Sequence, residues 1–502
     1  MKSTLKGQVL KKAASYFRVM AAALALLLNG CAAVGPDYVR PRAKTPTAWH
    51  TQLKDGQANR KTDPRTLAKW WDTLDDPVLS SLINRAVSGN LDIKKATERV
   101  LQARAQRGLA GAALFPTLDA KESATRSRSS GSNGFGGRNT FYSTGFDAGW
   151  ELDFFGGTRR GIEAANADLA AGREDLHDVM VSLLAETALN YVEARTLQAR
   201  LAVAIKDLRA REETYRLVFF NYQAGLTDEL AVHQARYNLE TTRSRIPTLK
   251  TALAADLNQL SILIGEAPGA IDAEISRQGP IPIAPLSVAV GVPADTLRLR
   301  PDVRRAERRL AAQTARIGVA KADLYPRFNL TGSIGLEALS PGDLLTAGSR
   351  TWHYGTGISW KIFDANAIRE NIDVQSSLQK QALITYESTI LGALEEVENA
   401  IKAFFDEQNR RASLASAVLA ARQAEALAQD KYKAGMTDFN TVLDAQRSLF
   451  SLQDQKAGSD GAVTSDLIRL YKALGGGWTT FAAAPNSSDL KKSDANKKEW
   501  TR

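Results

Sequence analysis

The chain has 502 residues, 44% hydrophobic and 24% charged, with a formal net charge of +10 and a single cysteine. That length admits several domains, while a lone cysteine excludes an internal disulfide. Basic residues are not clustered with aromatic stacking platforms, so the positive charge does not mark a nucleic-acid-binding protein.

Residues 1–30 read as an export signal. Lys2, Lys6, Lys11, Lys12 and Arg18 precede the apolar run Val19 to Leu28, which is too short to span a bilayer as a helix. Without these five cations the charge of +10 falls to +5, mild for the length. The signal ends in Leu28-Asn29-Gly30-Cys31, which resembles a bacterial lipoprotein box. An incidental cysteine after a plain signal is the alternative, but acylation of Cys31, palmitate included, explains the residue's presence. That covalent lipid is the only cofactor expected, and it anchors without spanning. Beyond the signal no run of about eighteen apolar residues occurs, so any membrane crossing requires a β-barrel.

Residues 31–75 form the acylated N-terminal segment. From there the chain overlays on itself at a shift of 210 positions. Tyr222-Gln223-Ala224-Gly225-Leu226-Thr227-Asp228 recurs as Tyr432-Lys433-Ala434-Gly435-Met436-Thr437-Asp438. The same shift pairs Phe115-Pro116 with Tyr325-Pro326, Trp150 with Trp360 and Arg159 with Arg369. So long a period indicates one duplicated half-structure rather than a solenoid. The first repeat occupies 76–264 and the second 301–478. Between them, 265–300 is proline-rich and reads as a crossover with a small belt, and 479–502 as a disordered polar tail.

Each repeat is expected to run helix, strand, loop, strand, very long helix, tight turn, long helix. The first helices fall at about Asp76 to Leu114 and Pro301 to Leu324, ended by the two aromatic-proline pairs. The clearest strands follow. Tyr142, Thr144, Phe146, Ala148, Trp150 and Leu152 alternate with small or acidic residues, as Trp352, Tyr354, Thr356, Ile358, Trp360 and Ile362 do with His353, Gly355, Gly357, Ser359 and Lys361. Their aromatics, Tyr142, Trp150, Trp352 and Trp360, suit the girdle of a transmembrane barrel. The strand near Leu118 to Thr125 puts Glu122 on the apolar face, so either that strand is shorter or Glu122 sits at the interface. A soluble sandwich is the competing fold. If the strands cross lipid, four per chain cannot close a barrel, and the chain must oligomerise.

A helix from about Thr158 to Tyr222 would be on the order of 100 Å long at 1.5 Å per residue. Its alanine-rich sequence suits close packing in a coiled-coil wall, although a soluble rod would read alike. Pro247 is expected to kink or interrupt the returning helix. At the turns, Gly225 and Gly435 suit the left-handed residue that ends a helix. Thr227 and Thr437 suit the next N-cap, with Asp228 and Asp438 in its first turn. A tight hairpin accounts for these residues, and their duplication supports a functional tip. No catalytic constellation, metal-ligand cluster or phosphate loop stands out, and His50, His177, His233 and His353 are scattered.

The ordered set Cys31, Val34-Gly35-Pro36-Asp37-Tyr38, Trp70-Trp71, Leu299-Arg300-Pro301-Asp302-Val303, Tyr325-Pro326, Trp360-Lys361-Ile362-Phe363-Asp364 and Leu443-Asp444-Ala445-Gln446-Arg447 resembles the outer-membrane efflux lipoproteins of the TolC family, in the OprM/NodT-like branch. The resemblance covers Cys31 to about Trp478. It implies a membrane β-barrel plus a long α-helical barrel, closed only as a homotrimer in the outer membrane of a Gram-negative bacterium. It further implies a passive exit channel that works with a periplasmic adaptor protein and an inner-membrane efflux transporter in multidrug resistance. By the same resemblance Asp444 and Arg447, with Tyr432, form a periplasmic gate, and Gly225, Thr227, Asp228, Gly435, Thr437 and Asp438 the adaptor-contact tips. Where relatives have a leucine one turn before the aspartate, this chain has Asn440. A duct for secreted protein and a lipid-anchored spacer without a pore are the competing functions.

Overall fold

The computed structural model describes residues 33–42, 45–51, 63–130, 137–277, 279–285, 291 and 293–481. The signal, Cys31, the loop 131–136 and the chain from 482 onward lie outside the described residues. In chain order the elements are α1 (Pro64–Ala68), a 3₁₀ turn (Trp70–Leu74), α2 (Pro77–Gly89), α3 (Leu91–Ala112), β1 (Thr117–Arg128), β2 (Arg138–Leu152), α4 (Gly157–Gln223), α5 (Glu229–Leu263), α6 (Asp272–Ile275), α7 (Pro293–Leu299), α8 (Pro301–Ala322), β3 (Arg327–Ala338), β4 (Arg350–Ser359), α9 (Ala367–Lys433) and α10 (Phe439–Ala473).

The duplication is kept to the residue. Shifted by 210, the bounds of α3, β1, α4 and α5 become those of α8, β3, α9 and α10. The long helices α4 and α9 each have 67 residues and the returning helices α5 and α10 each have 35. Pro247 lies inside α5, which continues through it, contrary to an interruption there. Helix capable sequence on both sides holds the segment, although the missing N–H leaves the Arg243 carbonyl without its intrahelical donor.

Other expectations are corrected in detail. The single helix placed at Asp76 to Leu114 is two, because Asn90 stops one and starts the next. Its side-chain oxygen accepts from the Asp92 and Ile93 amides, while its Nδ2 donates to the Leu263 carbonyl at 2.9 Å. Strand β4 ends at Ser359, so Trp360 and Ile362 lie beyond it. Strand β1 has 12 residues and pairs along its whole length, with Glu122 opposite Thr144, so it is not shortened at Glu122.

The chain forms two compact units. The first comprises residues up to 42, 99–173 and 305–387 and contains one four-stranded antiparallel sheet in the order β1-β2-β3-β4. Period-two alternation gives it two unlike faces. Phe146, Trp150, Ile334, Trp352, Tyr354 and Ile358 are exposed on one. The other carries Lys121, whose Nζ lies 2.7 Å from Asp147 Oδ2, and Ser123, bonded to Ser143 at 2.9 Å.

The second unit comprises 43–98, 174–304 and the chain from 388. Its core gathers Trp70, Trp71, Leu79, Leu82, Ile83, Leu184, Tyr191, Leu260, Ile401, Phe404, Leu467 and Tyr471. Trp70 stacks on Tyr471 with ring centroids 5.6 Å apart, and Trp478 stacks on His177 at 4.2 Å. A smaller apolar cluster in the same unit joins Val218, Val232, Ala235, Phe439, Val442 and Leu443.

Candidate functional site

The smaller cluster underlies the two hairpin turns. Gly225 and Gly435 have φ of 71° and 70°, the left-handed conformation that costs other residues a clash at Cβ. In each turn the glycine amide donates to the tyrosine three residues back, Tyr222 or Tyr432, and the following amide reaches five back, Leu226 to Asn221 at 2.8 Å and Met436 to Lys431 at 2.9 Å. That pattern closes both helices with a Schellman motif. The next residues do not cap as the sequence suggests. Asp228 and Asp438, not Thr227 and Thr437, are the N-caps, with extended backbone and side chains accepting from the Ala231 and Thr441 amides. The Thr441 hydroxyl also donates to Asp438 at 2.7 Å. These bonds, the side-chain one first, hold the Asp438 carboxyl below the usual aspartate range. Leu226 and Met436 are 76% and 70% exposed, so each turn presents one apolar side chain to its surroundings.

Further along α10, Arg447 donates from Nη1 to Asp444 Oδ1 and from Nη2 to Asn238 Oδ1 on α5, both at 3.2 Å. Asp444 is 72% and Arg447 55% exposed at the side chain, so within one chain the pair is weak. Gln446 beside them is buried and donates to Thr214 on α4 at 3.2 Å. Tyr432 packs its ring on Phe439, centroids 5.5 Å apart, and makes no side-chain hydrogen bond among the described residues. The fold thus brings Asp444 and Arg447 together and leaves Tyr432 in the apolar cluster.

In the sheet unit, Trp150 and Trp360 make the same contact in both repeats. Trp150 Nε1 donates to the Leu114 carbonyl at 2.9 Å, and Trp360 Nε1 to Leu324 at 3.0 Å. Each indole is fixed at the strand end with its ring partly exposed. Tyr142 lies near the other end of β2 and Trp352 near that end of β4.

The sequence did not single out Arg160, which holds the segment that follows Cys31. It is 5% exposed and donates to the carbonyls of Val34, Gly35 and Ala33 at 3.1, 3.3 and 3.4 Å, and to Asp37 and Glu163 at 2.7 Å each. The Val34 amide in turn donates to the Phe155 carbonyl at 3.0 Å. Gly35, at φ 100°, passes so close to Gly318 that an added Cβ would lie 2.4 Å from its Cα. Tyr38 donates to Glu307 at 2.6 Å, and burial first, then this bond, raises its hydroxyl pKa. The only sequence signal was the Val34-to-Tyr38 motif itself.

A buried group in the second unit is structural. Tyr191 donates to Asp76 Oδ2 at 2.8 Å and accepts from Arg195 at 3.1 Å, with burial foremost in pushing it up to about 12. Among the described residues no cluster of acidic, histidine or cysteine side chains could hold a metal ion, and no helix is long and apolar enough to cross a membrane.

The family model described as outer membrane efflux protein matches residues 82–266 and 292–476, two stretches that are themselves 210 apart. The chain is 32% identical over 459 residues to the solvent efflux pump outer membrane protein SrpC of Pseudomonas putida, covering 90% of this chain and 97% of that one. It is 31% identical over 468 residues to nodulation protein T of Rhizobium leguminosarum bv. trifolii, covering 91% and 97%. Among solved structures, the outer-membrane channel OprN superposes with a TM-score of 0.82 at 33% identity, over 89% of this chain and 99% of that one.

Proposed function

We propose the following function on the premise that this chain belongs to the outer membrane efflux protein family. It is an efflux channel of the outer membrane, not an enzyme. Three copies close the channel, each giving four strands to a twelve-stranded barrel and four long helices to the tunnel. The observation that carries this reading is the sheet, whose faces differ in polarity while β1 and β4 each keep one edge unpaired among the described residues. Lipid tolerates no open edge, so the sheet must be completed by further strands.

The cargo is small apolar molecules, in keeping with the relative named for solvent efflux. An inner-membrane transporter and a periplasmic adaptor deliver it, and exposed Leu226 and Met436 at the hairpin turns suit adaptor contacts. Asp444 and Arg447 gate the tunnel, because an exposed charged pair can be exchanged for other partners at little cost. Cys31 carries the lipid. It stands two residues before Ala33, roughly 7 Å at most along the chain, and Arg160 holds Ala33 at the start of α4.

Deleting the gene tests this reading. Cells should then accumulate apolar dyes and solvents, with an unchanged set of proteins in the medium, and the intact gene should restore efflux. Loss of a protein from the medium with unchanged accumulation would instead favour a secretion duct.

A further inference from the structure

We propose that β4 of one copy pairs antiparallel with β1 of the next in a single register, in which partner residue numbers add up to 480 as Tyr142 and Ala338 do. This sets Trp352 opposite Arg128 and Tyr354 opposite Arg126 across each seam. The proposal rests on the trimeric reading and deepens it, by naming the partner as a second copy and the residues that meet.

The register follows from the duplication. Thr117 faces Gly149 between β1 and β2, and Arg327 faces Ser359 between β3 and β4, so both pairings are the same after a shift of 210. The β2–β3 pairing is the junction between two repeats. In a ring of repeats the seam between two copies is that junction again, with β4 standing for β2 and β1 for β3. Stepping from Thr117 to Gly149 and on to Thr331 reaches the counterpart of Lys121, an advance of four residues per repeat. Strand tilt and stagger are linked in a barrel, so a uniform tilt needs the same advance at the seam.

Side-chain chemistry favours the same register. Trp352 and Tyr354 stack on each other with centroids 5.6 Å apart and planes at 9°, yet remain 70% and 78% exposed. Arg126 and Arg128 are exposed at the free edge of β1, on the face that carries these aromatics. A guanidinium over an exposed indole or phenol ring is an attractive pair, stronger when water is excluded. Of the even registers, this one alone gives both rings an arginine directly opposite. A slip of two residues leaves one ring without an arginine opposite it. A slip of one turns every side chain to the wrong face.

Disulfide trapping tests the register in full-length protein in native outer membranes, with the unsubstituted chain, whose only cysteine is Cys31, as background. Ser123→Cys with Gly357→Cys lies on the register, and a Cβ at Gly357 meets nothing within 4 Å. Thr125→Cys with Gly355→Cys is the adjacent rung and a second chance should the first variant fail to assemble. Ser123→Cys with Gly355→Cys, and Ser123→Cys with Ser359→Cys, are slipped by two, at the roughly 7–8 Å diagonal spacing that a disulfide does not bridge without movement. Under mild copper-phenanthroline oxidation, the in-register pairs should give covalent dimers and trimers that collapse on reduction, and the slipped pairs little or none. Faster linkage in a slipped pair would overturn the register while leaving the trimer intact. A native trimer that links through no pair would also overturn it. A monomer by native mass spectrometry would overturn the trimeric reading itself.

Discussion

A guanidinium carries donors in a fixed fork, and Arg160 spends them on three successive carbonyls and two carboxylates. Replacement by alanine removes this donor from three half-buried carbonyls, at a cost on the order of 2 kcal/mol, while the exposed carboxylates of Asp37 and Glu163 turn to water. Arg160→Ala should therefore release the segment 33–42, seen as faster proteolytic cleavage there, and Arg160→Lys should recover little. The hold on 33–37 was not legible in the sequence, because every partner except Glu163 lies more than 120 positions away and an arginine early in a helix usually faces solvent. Asp256 holds its proton more tightly than an ordinary aspartate. Burial, then the charge of Glu193, pushes its carboxyl up to about 6 from 3.8. The folded state then holds a proton that the unfolded chain has already lost, so stability falls as pH rises through the window from about 4 to 6. Asp256→Asn should flatten that slope and raise the melting temperature at pH 7. An unchanged slope in melts across pH would refute the assignment.

At the scale of elements, the hairpin turns separate what sequence conveys from what it does not. The glycine positions were readable, since a left-handed residue at a helix end admits few alternatives. The caps were misplaced by one, because threonine and aspartate both serve as N-caps and only backbone conformation decides between neighbours. Asp228→Ala should accordingly destabilise the hairpin by about 1 kcal/mol and Thr227→Ala much less, measured as amide exchange in the first turn of α5. The reverse order would restore the threonine cap. Strand β4 shows the opposite failure. Its alternation of side chains runs on through Trp360 and Ile362, but its ladder stops at Ser359 because its partner begins at Arg327. The break at Asn90 was hidden likewise, since its partner Leu263 is 173 residues away.

For the whole molecule, the duplication is the organising fact. Sequence identity alone would not have fixed it as firmly as the bounds of α3, β1, α4 and α5, which coincide with those of α8, β3, α9 and α10 after a shift of 210. The family and the channel function were legible because they rest on this repeat and on ordered motifs along the chain. The proposed gate charges depart from it, since Asp444 and Arg447 stand where the first repeat has Gln234 and Tyr237. Closure would then alternate around a wall that is otherwise nearly sixfold. Conductance of the purified trimer in planar bilayers tests this account most directly. The unmodified chain should be mostly closed, and Asp444→Ala or Arg447→Ala should give stable steps of ion current. Trimers that conduct in no variant would contradict the channel and leave a spacer without a pore.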